Sequence, residues 1–347
     1  MQKHIYIRAD GNEMIATGHI MRCLSVANQL KKWNIEVTFL VADDRPRALI
    51  ESRGFSIDVL NTVWNDLDTE TEIICDYVKE NQVEILLLDS YFVTKDYLQK
   101  LSQCTKIVYI DDLCAFAYSV HTLVNYYVFG DIENYHKKYA EEAVDMPHIL
   151  IGGSYIPLRE EFAYQPFEVR EEASKVLITT GGTDQLNVAG NILERVIHDD
   201  SCMELDYHVI VGCFNQNKEH LYALSERHSN IYLHENVTNM SEWMRLCDIA
   251  ISAGGTTLYE LGACGIPTIC LEIASNQEGA VAWEQRDYMT YAGNACKNME
   301  VCMKNCLEGL RQYVSDYELR LRRSNRIQEL IDGNGARRIA KYIETMF

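Results

Sequence analysis

An α/β protein built on two separate parallel sheets is the fold class this sequence predicts, and three observations predict it. Strand-like apolar runs alternate with helix-length amphipathic segments along most of the 347 residues, the pattern of parallel strands joined by crossing helices. The alternation breaks at an irregular stretch, Tyr155–Ala173, and restarts at Lys175. The segment from Asp248 to Gln277 reads as one complete βαβ unit with glycines at its first strand-to-helix turn.

In the first half the strands fall at Ile5–Ala9, Glu36–Val41, Ser56–Leu60, Glu84–Leu88 and Lys106–Ile110, with short ones at Leu123–Tyr126 and His148–Ile151 completing the sheet. Helices lie between them at His19–Trp33, Arg45–Arg53, Thr69–Glu80 and Lys95–Gln103. The irregular stretch carries Pro157, Pro166 and a mixed-charge run. It separates a first domain, 1–158, from a second, 174–333, with 159–173 as linker. Strands of the second domain are expected at Lys175–Thr180, Tyr207–Val211, Asn230–Leu233, Asp248–Ser252 and Thr268–Ile273. From Met299 onward the chain reads as helical. Its last helix, in 334–347, follows Gly333-Asn334-Gly335 and is placed to cross back to the first domain. Two Rossmann-like domains would then turn their strand C-termini toward a shared cleft, the edge at which open parallel sheets hold ligands.

An apolar share of 47% and a charged share of 24% are those of a globular protein. A formal net charge of −19 argues against a nucleic-acid groove or an anionic membrane surface as partner. No apolar stretch approaches the roughly 20 residues that span a bilayer, and a strand begins at once after the N-terminus, so membrane insertion and a signal peptide are not expected and the cytoplasm is the default. The 12 cysteines are scattered without a CxxC pair, as reduced, buried thiols would be. Cys302 and Cys306, at helical spacing, have no histidine partners nearby to make a zinc site. No metal or other cofactor is expected, and a monomer or weak oligomer is.

The βαβ segment carries the most chemistry. Ile249, Ala250 and Ile251 run into Ala253-Gly254-Gly255-Thr256-Thr257, and a helix with Leu258, Leu261 and Ala263 follows. A helix starting at Thr256 aims unpaired N–H groups and a partial positive charge at the space above Gly254 and Gly255, which suits a phosphate. Glu260, one turn on, is placed to accept hydrogen bonds from a sugar diol. The plainer alternative is a tight turn whose glycines only permit close packing. Gly181 and Gly182, in Thr179–Asp184, make a second such turn.

After the first strand come Arg8-Ala9-Asp10 and then Thr17-Gly18-His19-Ile20-Met21-Arg22-Cys23. His19 falls in the first turn of a helix, where the dipole disfavours the imidazolium; a neutral imidazole facing a cleft is a competent general base. The alternative is a polar residue that only caps the helix. Asp10 either orients His19, contacts a ligand or caps its loop. Asp89-Ser90-Tyr91 ends a buried strand with an acid, a hydroxyl and a phenol; Tyr91 either reaches a sugar or packs under the next helix. The paired carboxylates Asp111 and Asp112 would repel an anionic ligand and carry no assignment. Arg159 is either a substrate contact or a surface ion pair.

Taken together these segments resemble one family, the nucleotide-sugar hydrolases of pseudaminic acid biosynthesis that act on UDP-2,4-diacetamido-2,4,6-trideoxy-β-L-altropyranose. The matching stretches are Arg8-Ala9-Asp10 with Gly18 to Leu24, Asp89 with Tyr91, Leu158-Arg159 with Phe162, Gly181 to Asp184, Asn236 to Met240, Ser252 to Glu260, and Asn276-Gln277. The resemblance implies a fold like the GT-B glycosyltransferases, with UDP held mainly by the second domain. It implies that His19 activates water and that UDP and free sugar are released without a metal or organic cofactor. Carried over, Asp10 and Tyr91 line the sugar pocket beside Arg8 and Gly18. Arg159, Gly254, Gly255, Thr256, Thr257 and Glu260 hold diphosphate and ribose. Asn276 and Gln277 lie near the sugar, and Val237 and Met240 by the uracil. Ser90 stands where the family usually has histidine.

A Walker-A ATPase is excluded, since no glycine-rich loop ends in Gly-Lys-Ser/Thr, and no GxGxxG follows the first strand. A UDP-sugar glycosyltransferase on the same scaffold differs only in whether a sugar or water is the acceptor, and residue chemistry leaves both open. A catalytically silent nucleotide-sugar-binding protein is the alternative outside enzymes.

Overall fold

The computed structural model describes residues 3–277 and 279–347. The chain forms two compact units, one of Met1–Glu160 with Gly333–Phe347, the other of Glu161–Asp332. In the first, strands β1 (His4–Ala9), β2 (Glu36–Val41), β3 (Ser56–Val59), β4 (Ile85–Asp89), β5 (Lys106–Ile110), β6 (Thr122–Asn125) and β7 (His148–Ile151) alternate with helices α1 (Gly18–Lys32), α2 (Arg47–Ser52), α3 (Thr71–Glu80), α4 (Lys95–Leu101) and α5 (Ile132–Glu142). The sheet order is β3-β2-β1-β4-β5-β6-β7, with every pair parallel. β4 reads Ile-Leu-Leu-Leu-Asp and is buried throughout, because helices cover both faces of a parallel sheet and its inner strands are apolar without alternation.

The second unit repeats the plan. Strands β8 (Lys175–Thr179), β9 (Asp206–Val211), β10 (Ile231–Glu235), β11 (Ile249–Ala253), β12 (Thr268–Glu272) and β13 (Thr290–Asn294) are linked through helices α6 (Val188–Val196), α7 (Lys218–Arg227), α8 (Met240–Leu246), α9 (Thr257–Cys264) and α10 (Val281–Gln285), followed by α11 (Met299–Ser315) and α12 (Tyr317–Leu330). The sheet order is β10-β9-β8-β11-β12-β13, again parallel. Sequence reading did not find β13. It is a half-buried edge strand, Thr-Tyr-Ala-Gly-Asn, with Gly293 at φ +117° and a register shift in its pairing with β12. Neither alternation nor a continuous apolar run marks such a strand.

Each sheet reverses direction of growth once, and this places the functional loops. β1 lies between β2 and β4, with Ala9 opposite Asp89; β8 lies between β9 and β11, with Thr179 opposite Ser252. Chain leaving Ala9 and chain leaving Asp89 therefore emerge side by side at the carboxyl edge, the switch point where such sheets bind ligands. The two glycine turns of the second unit emerge side by side in the same way. Among the described residues no helix is long and apolar enough to cross a membrane.

The last helix, α13 (Gly335–Glu344), belongs to the first unit. The Tyr342 ring stacks on His148 at 4.8 Å, and its hydroxyl accepts from Thr122 at 3.0 Å. Helix α13 begins with glycine for a steric reason: a Cβ on Gly335 would lie 2.1 Å from the Ile156 carbonyl oxygen. Gly335→Ala is expected to destabilise the protein by about 1–3 kcal/mol through overpacking against backbone that cannot yield, read as a lowered urea midpoint.

Candidate active site

Arg8 and Asp10 are engaged mainly with each other and with buried partners. Arg8 is 1% exposed and gives its Nε and Nη2 to the two oxygens of Glu70, each at 2.9 Å. Its Nη1 binds Asp10 at 2.6 Å. Asp10 also accepts from the Ala42 amide at 2.8 Å, and Glu70 is held further by Tyr97 at 3.0 Å and Thr62 at 2.6 Å. Burying a guanidinium demands this degree of pairing. The expectation that Asp10 orients His19 is corrected. Its carboxylate faces β2 and the Arg8 fork, and Arg8, sealed by the same network, has no surface left for substrate.

His19 is oriented by a different acid. Its Nδ1 lies 2.7 Å from Asp89 Oδ1. Arg22, one helical turn along α1, gives Nε to Asp89 Oδ2 and Nη2 to Oδ1, both at 2.5 Å. The Cys23 thiol donates to Oδ2 from behind at 3.5 Å. Burial alone would raise the Asp89 carboxyl, but the charge and hydrogen bonds of Arg22, with the hydrogen bond from His19, outweigh it and bring it down to about 2. An ionised Asp89 can only accept, so the ring carries its proton on Nδ1. Nε2 then presents a lone pair and has no hydrogen-bond partner among the described residues.

The ring is more enclosed than one facing an open cleft: His19 is 6% exposed. Tyr91 packs edge-on against it at 4.6 Å. The phenol is not packed under the following helix; Tyr91 is 45% exposed and donates to Asp112 Oδ2 at 3.0 Å. Burial and the neighbouring Asp112 push its hydroxyl up to about 12, so it stays protonated as a donor. Asp112, unassigned in the sequence, also accepts from Tyr126 at 3.2 Å. Gly18 is the first residue of α1, and a Cβ there would meet nothing within 4 Å. Arg159 lies half-buried next to the end of that stretch of the first unit, just before a 3-10 turn at Glu160–Phe162.

In the second unit the two glycine turns differ. At the Gly181-Gly182 turn, Asp184 accepts from the Val188 and Ala189 amides at 2.8 and 3.1 Å, so the N-terminus of α6 is filled by its own chain. Gly212 presses on the turn from β9, where a Cβ would sit 2.3 Å from the Gly182 oxygen. Gly181 and Gly182 themselves remain exposed.

Helix α9 has no side-chain cap at Thr256, and the amides of Gly255, Thr256 and Thr257 have no partner among the described residues. Gln277 lies beside this turn, its Nε2 3.7 Å from the Cβ position of Gly255, while its Oε1 accepts from the Ile273 amide at 2.9 Å. Glu260 stands half-buried in the first turn of α9. The Asn276 side chain lies outside the described residues. Beyond β10 a polar groove of about 390 Å³ opens between Asn236, Val237, Thr238, Asn239, Glu242 and Trp243. Val237 lines it. Met240, expected beside it, does not; it starts α8 and its amide binds Glu161 at 3.2 Å. Among the described residues no group of three or more His, Cys, Asp or Glu is placed to hold a metal ion.

These features define a class, an α/β protein of the GT-B glycosyltransferase fold. MurG of Acinetobacter baumannii superimposes with a TM-score of 0.68 at 13% identity, covering 99% of each chain. The UDP-GlcNAc 2-epimerase of Neisseria meningitidis, bound to UDP-GlcNAc, does so at 0.65 and 15%, covering 99% of this chain and 100% of its own. Within that class the sequence is similar to the UDP-2,4-diacetamido-2,4,6-trideoxy-β-L-altropyranose hydrolase of Campylobacter jejuni, 27% identical over 80% of this chain and 95% of that one. The spore coat polysaccharide biosynthesis protein SpsG of Bacillus subtilis is 23% identical over 99% and 98%. An uncharacterised protein of Methanocaldococcus jannaschii is 27% identical over 77% of this chain, which spans only 55% of that relative's length. No family model matches the chain.

Asp89 gives the site a pH signature. Its folded value of about 2 lies below the ordinary 3.8, so its stabilisation is complete above about pH 4 and is lost as pH falls toward 2. Between about pH 5 and pH 2 the wild type should lose of order 2 kcal/mol more stability than Asp89→Asn, measured by urea unfolding.

Proposed function

We propose that this chain is a nucleotide-sugar-processing enzyme that hydrolyses a UDP-activated 2,4-diacetamido-2,4,6-trideoxy sugar to UDP and the free sugar, in nonulosonic (pseudaminic) acid or surface polysaccharide biosynthesis. The observation that carries the reading is the Asp89–His19 pair at the switch point of the first sheet, which leaves Nε2 without a hydrogen-bond partner among the described residues. The name of the Campylobacter jejuni relative supports the substrate.

In this mechanism Nε2 takes a proton from water as the water oxygen attacks the anomeric carbon. The bond from that carbon to the diphosphate oxygen breaks, and UDP leaves with the electron pair. The proton on Nε2 returns to solvent while Asp89 keeps the ring in place. The open amides of α9 take up the charge that develops on the diphosphate. Tyr91 contacts the sugar, Glu260 the ribose, Arg159 and Gln277 the diphosphate and sugar, and the groove beside Val237 the uracil.

A glycosyltransferase is the second reading, favoured by the fold shared with MurG. Incubation with the UDP-sugar alone separates them. Stoichiometric UDP release without an acceptor is expected; release only after a glycan is added would establish the transferase. His19→Ala should lower turnover by roughly 10²–10⁴-fold, with UDP affinity retained in calorimetry; a silent binding protein would show the same negligible turnover in both forms. Thr256→Asp places a carboxylate on the open helix terminus. It should stabilise the fold by about 0.3–1 kcal/mol while weakening UDP binding, two effects of opposite sign measurable on one sample.

A further inference from the structure

We propose that Arg22 is a positioning residue for the His19 base, acting through Asp89 without touching substrate. Its kinetic consequence rests on the hydrolase reading above; its structural consequence does not.

An arginine at the ligand edge of a sheet ordinarily invites assignment to a phosphate, because its fork fits one. Here the fork is already occupied. Nε and Nη2 hold the two oxygens of Asp89, Nη1 holds the Tyr126 hydroxyl and approaches Asp112 at 3.4 Å, and the side chain is only 13% exposed. Tyr126 and Tyr91 pack over the guanidinium at 5.2 and 5.9 Å. Its position in the helix explains the arrangement. Residues three apart share a helix face, so α1 delivers His19 and Arg22 to the same carboxylate.

The contact settles two properties of the base. A bidentate fork fixes the plane of the carboxylate, which keeps Oδ1 in line with Nδ1. It also supplies the counter-charge that lets a fully buried acid stay ionised. Arg22 Nη2 lies 3.0 Å from Nδ1, and as a donor it cannot bond a protonated nitrogen; both groups converge instead on Oδ1. With Arg22 removed, Asp89 either takes up a proton or turns, and a protonated acid can donate to Nδ1 as readily as accept from it. The ring then populates both tautomers, and the one protonated on Nε2 cannot act as base.

The test uses the full chain and three variants, Arg22→Met, Arg22→Lys and the charge-free double Arg22→Met/Asp89→Asn. Nitrogen-15 NMR of the imidazoles reads the tautomer, steady-state kinetics with the UDP-sugar reads kcat and KM separately, and UDP binding checks that the protein is folded. In the wild type the His19 proton should reside on Nδ1. Arg22→Met should show mixed tautomers and a kcat lowered by roughly 10²-fold, with KM and UDP affinity within about threefold, and Arg22→Lys should recover part of the loss. The double variant should also show mixed tautomers, which keeps the test available if the lone buried carboxylate unfolds Arg22→Met. A wild-type tautomer in the folded variants, or parallel loss of kcat and UDP affinity, overturns the proposal. Because the tautomer is measured without turnover, failure of wild-type protein to hydrolyse any UDP-sugar defeats the hydrolase reading alone.

Discussion

A carboxylate that ends a buried strand must be met donor for donor, and at Asp89 this demand organises the carboxyl edge of the first sheet. The residue is 1% exposed and its carboxylate receives His19, the fork of Arg22 and the Cys23 thiol. Desolvation on this scale is tolerated only when charge and hydrogen bonds replace the lost water. Helix α1 supplies all three partners from one face, so the satisfaction of one acid also ties the start of α1 to the end of β4. The imidazole is oriented as a by-product of solving that electrostatic problem, its far nitrogen left without a partner among the described residues.

A second buried charge cluster lies one strand away and has a different character. Arg8, Asp10 and Glu70 pair among themselves, with Tyr97 and Thr62 closing the remaining positions. The Ala42 amide joins them, so the cluster ties β1 to β2 and to the start of α3. Two neighbouring acids, Asp10 and Asp89, thus divide the work: one joins elements of the fold, the other orients a titratable ring.

The glycine turns of the second unit show the same divergence from a common sequence signal. Both follow a strand and precede a helix. In one, Asp184 reaches the first two helix amides, four and five residues further on, and satisfies them. In the other, threonine occupies the cap position without a side-chain bond, and the amides have no partner among the described residues. A short acidic side chain at the right offset converts an anion site into a self-capped helix. That offset was present in the sequence as Gly-Gly-Thr-Asp against Gly-Gly-Thr-Thr, although its meaning depends on the path of the backbone through the turn.

The parallel-sheet architecture was legible because apolar runs such as Ile85–Leu88 and helix-spaced apolar faces such as Ile20, Cys23, Leu24 and Ala27 report burial directly. So were the glycine turn after β11 and the place of His19 at the head of a helix. The partner of His19 was not. Asp10 is nine residues from it and drew the assignment, whereas Asp89 is 70 residues away and arrives only because β1 pairs with β4, bringing Ala9 opposite Asp89. Local sequence determined which segments are strands and helices and which turns offer free amides, since propensity, periodicity and capping act over a few residues. Strand order and register decided which acid meets the imidazole, which arginine is withdrawn into the core and which is clamped to Asp89. Those pairings are set by long-range packing and by the need to neutralise buried charge, and neither can be read from neighbours in the chain.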